Sequence, residues 1–84
     1  MIRLFQHYTD PGHGWIKVPV KLLKSLGIEG KISTYSYRLG EYAYLEEDSD
    51  ASLFLESMSA AGEEFKFVTK HTNKQSKIRN YYPY

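Results

Sequence analysis

The sequence predicts a small α+β domain, in which a small antiparallel or mixed sheet of about five strands carries two helices in the order ββαββαβ. Three observations support this class. Segments in which side chains alternate with period two indicate strands, and two segments with apolar residues at helical spacing indicate helices. A glycine follows each helical segment, where helices commonly end. The 84 residues form a single predicted domain, 1–84, and leave no room for a second one.

The first two strands are predicted over 2–8 and 15–18, with a loop over 9–14 between them. The stretch Asp10-Pro11-Gly12-His13-Gly14-Trp15 spans most of this loop and the start of the second strand. Proline fixes φ and glycine accepts angles that other residues avoid, so this loop is specialised for particular backbone conformations. It holds His13 between two glycines, and because histidine titrates near physiological pH, this residue is a candidate for recognition or chemistry. A β-turn leading into a strand that buries Trp15 explains the same residues.

The first helix is predicted to begin at Pro19, because proline is favoured at the first helical position. Gly27 follows at the place where a left-handed terminating residue is favoured. Lys21 and Lys24 are expected to face solvent. The residues with helical spacing that are expected in the core are Val20, Leu22, Leu23 and Leu26.

Two neighbouring tyrosine-rich segments with period-two alternation predict a second hairpin, over residues 34–45. Two registers are compatible with it. A two-residue loop pairs Tyr37 with Tyr42, whereas a type I turn with a bulge at Gly40 pairs Tyr37 with Glu41. We favour the bulge, since Gly40 then occupies the left-handed conformation that favours glycine.

The second helix is predicted over 51–61 and the final strand over 64–70, with Gly62 between them. Acidic residues before the helix are stabilised by its positive end, and Asp48, Ser49 or Asp50 can cap its free amides. The same cluster, residues 46–50, could bind magnesium or calcium, but its spacing is not that of a calcium loop and capping is favoured. The side chains expected to face the core are Leu53, Phe54, Met58 and Ala61 of the helix and Phe65, Phe67 and Thr69 of the strand.

Charge is segregated along the chain, although the net charge is only +1. The charged residues from 41 to 64 are all acidic, and those from 65 to the end are all basic. Residues 71–84 therefore form a basic and aromatic C-terminal tail. In nucleic-acid-binding proteins, basic side chains bind phosphates and aromatic side chains stack on bases. The alternative is a tail whose aromatic rings pack on the sheet while its lysines stay solvated. The tail residues predicted to bind are Lys74, Lys77, Arg79, Tyr81, Tyr82 and Tyr84.

Composition excludes several classes of protein. The chain has no cysteine, which removes disulfide frameworks, thiolate nucleophiles and cysteine-based zinc sites and fits the cytoplasm. No apolar run approaches the length of a membrane span and the N-terminus lacks a signal-peptide pattern, so we expect a soluble protein with no membrane partner. His7, His13 and His71 lack the spacing of a metal motif, and no nucleotide-binding glycine pattern occurs. No metal and no cofactor are therefore predicted.

A complete catalytic set is missing from the sequence. Asp10 and His13 could form an acid–base pair within one loop, but neither Ser33 nor Ser36 lies in a recognisable nucleophile context. A His13-dependent hydrolase or nuclease is thus the least favoured function. A non-enzymatic interaction module is favoured, because the chain is rich in tyrosine, which is enriched in binding sites. Its predicted contact residues are Asp10, His13, Trp15, Tyr42, Tyr44 and the tail tyrosines.

Four segments together resemble small uncharacterised proteins encoded by bacteriophages and other mobile genetic elements. They are Asp10-Pro11-Gly12-His13-Gly14-Trp15, Tyr35-Ser36-Tyr37, Tyr44-Leu45-Glu46-Glu47-Asp48 and the aromatic C-terminus. The resemblance implies a bacterial cytoplasm and a protein that inhibits or modulates a host or defence protein rather than turning over a substrate. Nucleic-acid binding by the basic, aromatic C-terminal segment is the alternative. The oligomeric state is left open.

Overall fold

The computed structural model describes residues 2–84. Over these residues the chain forms one mixed sheet of six strands with two α-helices, which confirms the predicted α+β class. The strands are β1 (Ile2–Thr9), β2 (Gly14–Pro19), β3 (Tyr37–Leu39), β4 (Tyr42–Glu46), β5 (Glu64–His71) and β6 (Tyr82–Pro83), and the helices are α1 (Val20–Ser25) and α2 (Asp50–Ala60). Their order in the sheet is β5-β1-β2-β4-β3-β6. The predicted order ββαββαβ is therefore extended by a sixth strand, β6.

The first hairpin and helix α1 lie where the sequence places them. β1 pairs antiparallel with β2, with Gln6 opposite Lys17, and Gly27 ends α1 in the left-handed region at φ +73°. The predicted helix start was wrong by one residue. Pro19 is the last residue of β2 and the N-cap of α1, with φ −61° and ψ 133°. The fixed φ of proline suits a helix and an extended strand alike, so it does not distinguish these two positions.

The β3–β4 hairpin has neither of the predicted registers. Tyr37 lies opposite Tyr44, and Leu39 lies opposite Tyr42, so Gly40 and Glu41 form the turn. Gly40 does adopt a left-handed φ of +61°, as a glycine at the first position of a two-residue hairpin turn does. The bulge register was wrong because one left-handed glycine is compatible with either kind of turn. Tyr37 and Tyr44 consequently share one face of the sheet.

Both helices cover the same face of the sheet. Neither helix within residues 2–84 has the length and apolar character needed to cross a bilayer. In α2, Phe54 and Met58 are buried as predicted, whereas Leu53 is half-buried and Ala61 is exposed beyond the helix end. The core between helices and sheet consists of Phe5, Ile16, Val18, Val20, Leu22, Leu23, Ile28, Ile32, Ala43, Leu45, Ala51, Phe54 and Met58.

Helix α2 begins differently from the prediction. Ser49 is the N-cap, and within the described chain it makes no side-chain capping hydrogen bond. Asp50 is buried, and its carboxylate accepts hydrogen bonds from the backbone N–H of Ser33 and from the hydroxyls of Ser33 and Ser36. The carboxylate therefore ties the segment before β3 to the helix instead of capping the helix.

The opposite face of the sheet carries a second cluster, formed by Trp15, Tyr44 and Ile78. Alternate residues of β2 and β4 point away from the helices, which places Trp15 and Tyr44 on this face. The C-terminal residues cover them, because Lys77–Asn80 forms a short 3₁₀ helix and β6 pairs with β3. Part of the predicted tail is therefore packed on the sheet.

Strand β5 forms one edge of the sheet and runs parallel to β1, from Ile2 opposite Glu64 to Thr9 opposite His71. Its predicted inward side chains are less buried than expected. Phe65 is half-buried and Phe67 is 38% exposed, because a strand at the sheet edge has a neighbour on one side only.

Candidate functional site

The loop between β1 and β2 is organised by the buried carboxylate of Asp10. Its Oδ1 accepts hydrogen bonds from the backbone N–H groups of Gly12 at 3.0 Å and His13 at 2.9 Å. The backbone N–H of Asp10 in turn donates to the carbonyl of His13 at 2.9 Å. Both ends of the turn are thus fixed, so the backbone of His13 is held in a defined place.

Asp10 also binds the C-terminal segment. Its Oδ2 accepts hydrogen bonds from Nε of Arg79 at 2.7 Å and the backbone N–H of Ser76 at 2.9 Å, and Nη2 of Arg79 donates to Oδ1 at 2.9 Å. The hydrogen bonds from Arg79, together with those from backbone amides, hold the pKa of Asp10 well below its ordinary value although burial opposes this. Asp10 raises the pKa of Arg79. We call this bidentate pair the Asp10–Arg79 clasp.

The clasp lies beside a cleft of about 430 Å³, called here the His13 cleft. The β2–β4 register places Trp15 opposite Glu46, which brings the loop of His13 to the end of β4. Glu46 and Asp48 belong to the acidic cluster before α2, for which the sequence favours helix capping over a magnesium or calcium site. No local signal joins them to His13. The residues that line the cleft are His13, Trp15, Thr34, Tyr35, Tyr37, Glu46, Asp48, Ser49 and Arg79.

Three side chains at the cleft combine nitrogen and oxygen ligand atoms. Nδ1 of His13 lies 3.3 Å from Oε1 of Glu46, and Oε2 of Glu46 accepts hydrogen bonds from the backbone N–H of Asp48 and the hydroxyl of Ser49. One ligand atom from each of His13, Glu46 and Asp48 lies within 4.8 Å of the other two. This donor set could hold a divalent cation such as Zn²⁺ or Mn²⁺.

The charge of the cleft is negative. Glu46 and Asp48 contribute two carboxylates, and the only arginine in the lining, Arg79, is paired with Asp10. The side chain of His13 is 45% exposed, so it can reach a ligand that enters from solvent. The arrangement is suited to recognising a cationic group.

Trp15 is a buried wall of the cleft, only 2% exposed, as the packing interpretation of the loop predicts. Its ring centre lies 6.1 Å from that of His13 and 6.3 Å from that of Tyr37, and the guanidinium carbon of Arg79 lies 5.4 Å from its ring centre. Among the atoms of residues 2–84, no acceptor pairs with its Nε1–H. Trp15 is therefore a structural residue with one unused donor.

Several predicted contact residues are held within the fold. Tyr44 is buried with its ring centre 5.0 Å from that of Tyr81, and burial, followed by the proximity of Tyr81, raises the pKa of Tyr44 to about 12. The hydroxyl of Tyr84 donates to the carbonyl of Glu29 at 2.8 Å, and burial raises the pKa of Tyr84. Tyr44 and Tyr81 thus pack together on one face of the sheet, whereas Tyr84 packs against the core cluster on the opposite face.

Tyr42 and Tyr82, by contrast, are exposed by 40% and 73%. Nζ of Lys17 lies 4.3 Å from the ring centre of Tyr42, at the distance of a cation–π contact. Both tyrosines lie outside the lining of the His13 cleft. The structure thus does not bring the predicted contact residues together in one site.

Lys74 and Lys77 lie in a second depression, of about 340 Å³, called here the lysine hollow. Nζ of Lys70 lies 5.9 Å from the ring centre of Tyr8 at its wall. The described residues that line it include three lysines and no carboxylate, so its charge is positive. They are Tyr8, Thr9, Lys70, His71, Thr72, Lys74, Gln75, Ser76 and Lys77.

No protein-family model matches the chain, and neither a curated protein nor a solved structure shows significant similarity to it. The function is therefore inferred from the contacts, charge and exposure of the chain's own residues.

Proposed function

We propose that this protein is a non-enzymatic interaction module whose His13 cleft receives a basic side chain of a partner protein. The observation that supports this is the pairing of carboxylates with aromatic rings in one cleft. Glu46 and Asp48 line the cleft together with Tyr35 and Tyr37, and carboxylates and aromatic faces both attract cations. Because Arg79 is neutralised by Asp10, a lysine or arginine of the partner meets no free positive charge there.

The partner is proposed to be a host or defence protein of a bacterial cell, which the module inhibits or modulates in the cytoplasm. The resemblance to proteins of bacteriophages and mobile elements supports this class of partner. The carboxylates of the cleft further limit the class of partner to proteins with an exposed basic side chain that can enter the cleft.

Nuclear magnetic resonance tests the chemistry of the cleft directly. Trp15 is the single tryptophan of the chain, so its indole N–H gives one resonance in a ¹H–¹⁵N spectrum. Titration with N-acetyl-arginine amide is expected to shift this resonance, whereas the neutral N-acetyl-glutamine amide is not. Asp48→Asn should weaken the effect of the arginine probe, and Glu63→Gln, an exposed carboxylate outside the cleft, should not. Equal responses to both probes would refute recognition of a cation.

A pull-down from a bacterial lysate tests the protein partner. The wild-type chain is expected to retain a protein that binds His13→Ala more weakly by about 1 to 3 kcal/mol, as expected when a recognition contact is removed. The melting temperature should be unchanged, since the His13 side chain is nearly half exposed. Lys21→Ala on α1 is the matched control. Capture of no protein by the wild type, or equal capture by His13→Ala, contradicts the proposal.

Nucleic-acid binding is a second candidate function, and the lysine hollow is the observation that favours it. Lys70, Lys74 and Lys77 line one depression beside the ring of Tyr8, which supplies positive charge next to an aromatic surface. Arg79 is not proposed to bind phosphate, because its guanidinium is paired with the carboxylate of Asp10.

A salt titration with a labelled single-stranded oligonucleotide of mixed sequence tests this second function. The logarithm of the binding constant falls with slope about −0.7 per phosphate contact on a logarithmic salt scale, so three lysines predict a slope of about −2. The double variant Lys74→Gln/Lys77→Gln should flatten the slope, and Lys21→Gln/Lys24→Gln on α1 should not. Absence of binding at low salt, or equal effects of the two variants, excludes the lysine hollow as a phosphate site.

A further inference from the structure

Strand β5 presents an edge that is available to another strand. It is eight residues long, and within residues 2–84 only β1 pairs with it. An edge strand carries a row of unpaired backbone groups and is a template for pairing with another chain. Among the described residues, four of the eight exposed large hydrophobic side chains lie on β5 and the adjacent β1: Ile2, Leu4, Phe67 and Val68.

We propose that two copies of this chain pair through β5, forming an antiparallel dimer with one continuous sheet. The two-fold axis of such a dimer is perpendicular to the sheet, so the helices of both copies lie on the same side. Side chains that lie opposite each other must then point to the same face. In β5, odd-numbered residues therefore pair with odd-numbered ones, and even-numbered residues with even-numbered ones.

Charge and the number of paired residues together select one register among those that remain. Registers centred on Phe65 or Thr69 avoid like charges but pair only about three or five residues of each β5 strand. When Phe67 lies opposite its own copy, Glu64 lies opposite Lys70 on both sides of the axis and Lys66 lies opposite Val68. Centring the axis on Lys66 instead opposes two identical ammonium groups, and centring it on Val68 opposes Lys66 to Lys70. Opposite charges directly across an antiparallel pair stabilise it, whereas like charges destabilise it. The register centred on Phe67 joins about seven residue pairs without a like-charge contact.

The lysines of β5 make the pairing selective. Lysine on an edge strand discourages association with other strands, because its charge must be neutralised or kept in water. In the proposed dimer Lys70 meets Glu64, and both are exposed in the single chain. The edge of β5 is therefore complementary to the same edge of a second copy. Pairing with a strand that has no carboxylate opposite Lys70 is unfavourable.

Charge exchange tests the dimer in the full chain by sedimentation equilibrium. The wild type is expected to dimerise below about 1 mM, and Lys70→Glu and Glu64→Lys should each raise the dissociation constant about tenfold or more, because two pairs per dimer change from attraction to repulsion. The double variant Glu64→Lys/Lys70→Glu should return to within about threefold of the wild type. Lys21→Glu on α1 changes the net charge by the same amount as Lys70→Glu and should have no effect. A monomeric wild type at about 1 mM, or a double variant that dimerises no better than the singles, overturns the proposal.

Cysteine substitution tests the register. The chain has no cysteine, so one introduced thiol gives an unambiguous product. Phe67→Cys places two sulfurs at the two-fold axis and is expected to form a disulfide dimer under mild oxidation. Thr69→Cys points to the same face but lies opposite Phe65, and it is the matched control. Oxidation of Thr69→Cys to a dimer as fast as Phe67→Cys overturns the register centred on Phe67.

Discussion

Replacing Asp10 by asparagine is expected to break the Asp10–Arg79 clasp without changing the shape of the side chain. An amide oxygen at the Oδ1 position keeps the hydrogen bonds from Gly12, His13 and Nη2 of Arg79. The amide nitrogen at the Oδ2 position then faces two other donors, the backbone N–H of Ser76 and Nε–H of Arg79. Two hydrogen bonds are lost, and both donors are left without this acceptor.

The cost follows from these two losses. A buried donor left without an acceptor costs about 1 to 3 kcal/mol. Solvent relieves part of the cost at Arg79, whose side chain is 25% exposed. Asp10→Asn is therefore expected to lower the free energy of unfolding by about 2 to 4 kcal/mol, measured by urea denaturation near pH 7. Asp48→Asn removes the same charge from an exposed position and should change it by no more than about 0.5 kcal/mol.

The same carboxylate should make stability depend on acidic pH. The pKa of Asp10 is lower in the folded chain than in the unfolded one, where it is about 3.9, so the unfolded state takes up the proton first as pH falls. The stabilisation is therefore present above about pH 4 and is lost as pH falls towards the folded value. The difference in unfolding free energy between wild type and Asp10→Asn should shrink from about pH 5 to about pH 2. A difference that stays constant over this range would refute the assigned role of Asp10.

Three further predictions concern buried aromatic residues and a turn. Trp15→Ala should lower the free energy of unfolding by about 3 to 5 kcal/mol, and a wild-type melting temperature would contradict its packing role. The pKa of Tyr44 is about 12 in the folded chain, whereas an unfolded tyrosine ionises near about pH 10. The free energy of unfolding should therefore fall as pH rises above about 10, and it should fall less in Tyr44→Phe. Urea denaturation at alkaline pH measures both. Gly40→Ala should cost about 1 to 2 kcal/mol in urea denaturation because φ is +61°. Gly30→Ala, whose φ lies outside the left-handed region, is the control and should cost nothing; equal effects would contradict the backbone argument.

The parts of the fold that the sequence predicts well are those with a local physical cause. Gly27 and Gly62 follow α1 and α2 with φ near +73° and +74°, as left-handed C-terminal positions require. The β1–β2 hairpin follows from alternation on both sides of one proline- and glycine-containing turn. Such features depend on neighbouring residues alone, so a single sequence contains the information for them.

The candidate site depends instead on contacts between distant residues. Asp10 and Arg79 are 69 positions apart, and His13 and Glu46 are 33 apart. The β2–β4 register brings His13 to Glu46, and packing of the C-terminal 3₁₀ helix on the sheet brings Arg79 to Asp10. Both follow from packing rather than from local propensity. Strand β6 was not predicted for a related reason. Two residues, Tyr82–Pro83, are too short to show alternation and are strand only because β3 pairs with them.

The Asp10–Arg79 clasp has a consequence for the order in which the molecule is assembled. Asp10 and Arg79 are 69 positions apart, and closing so long a loop costs more entropy than forming contacts between residues that are close in sequence. The clasp is therefore expected to form late in folding. A chain that is still being synthesised cannot form the clasp before Arg79 has left the ribosome. Until then the His13 cleft lacks one of its walls, and the carboxylate of Asp10 lacks its cation. The recognition surface is therefore acquired only after nearly all of this sequence has been translated.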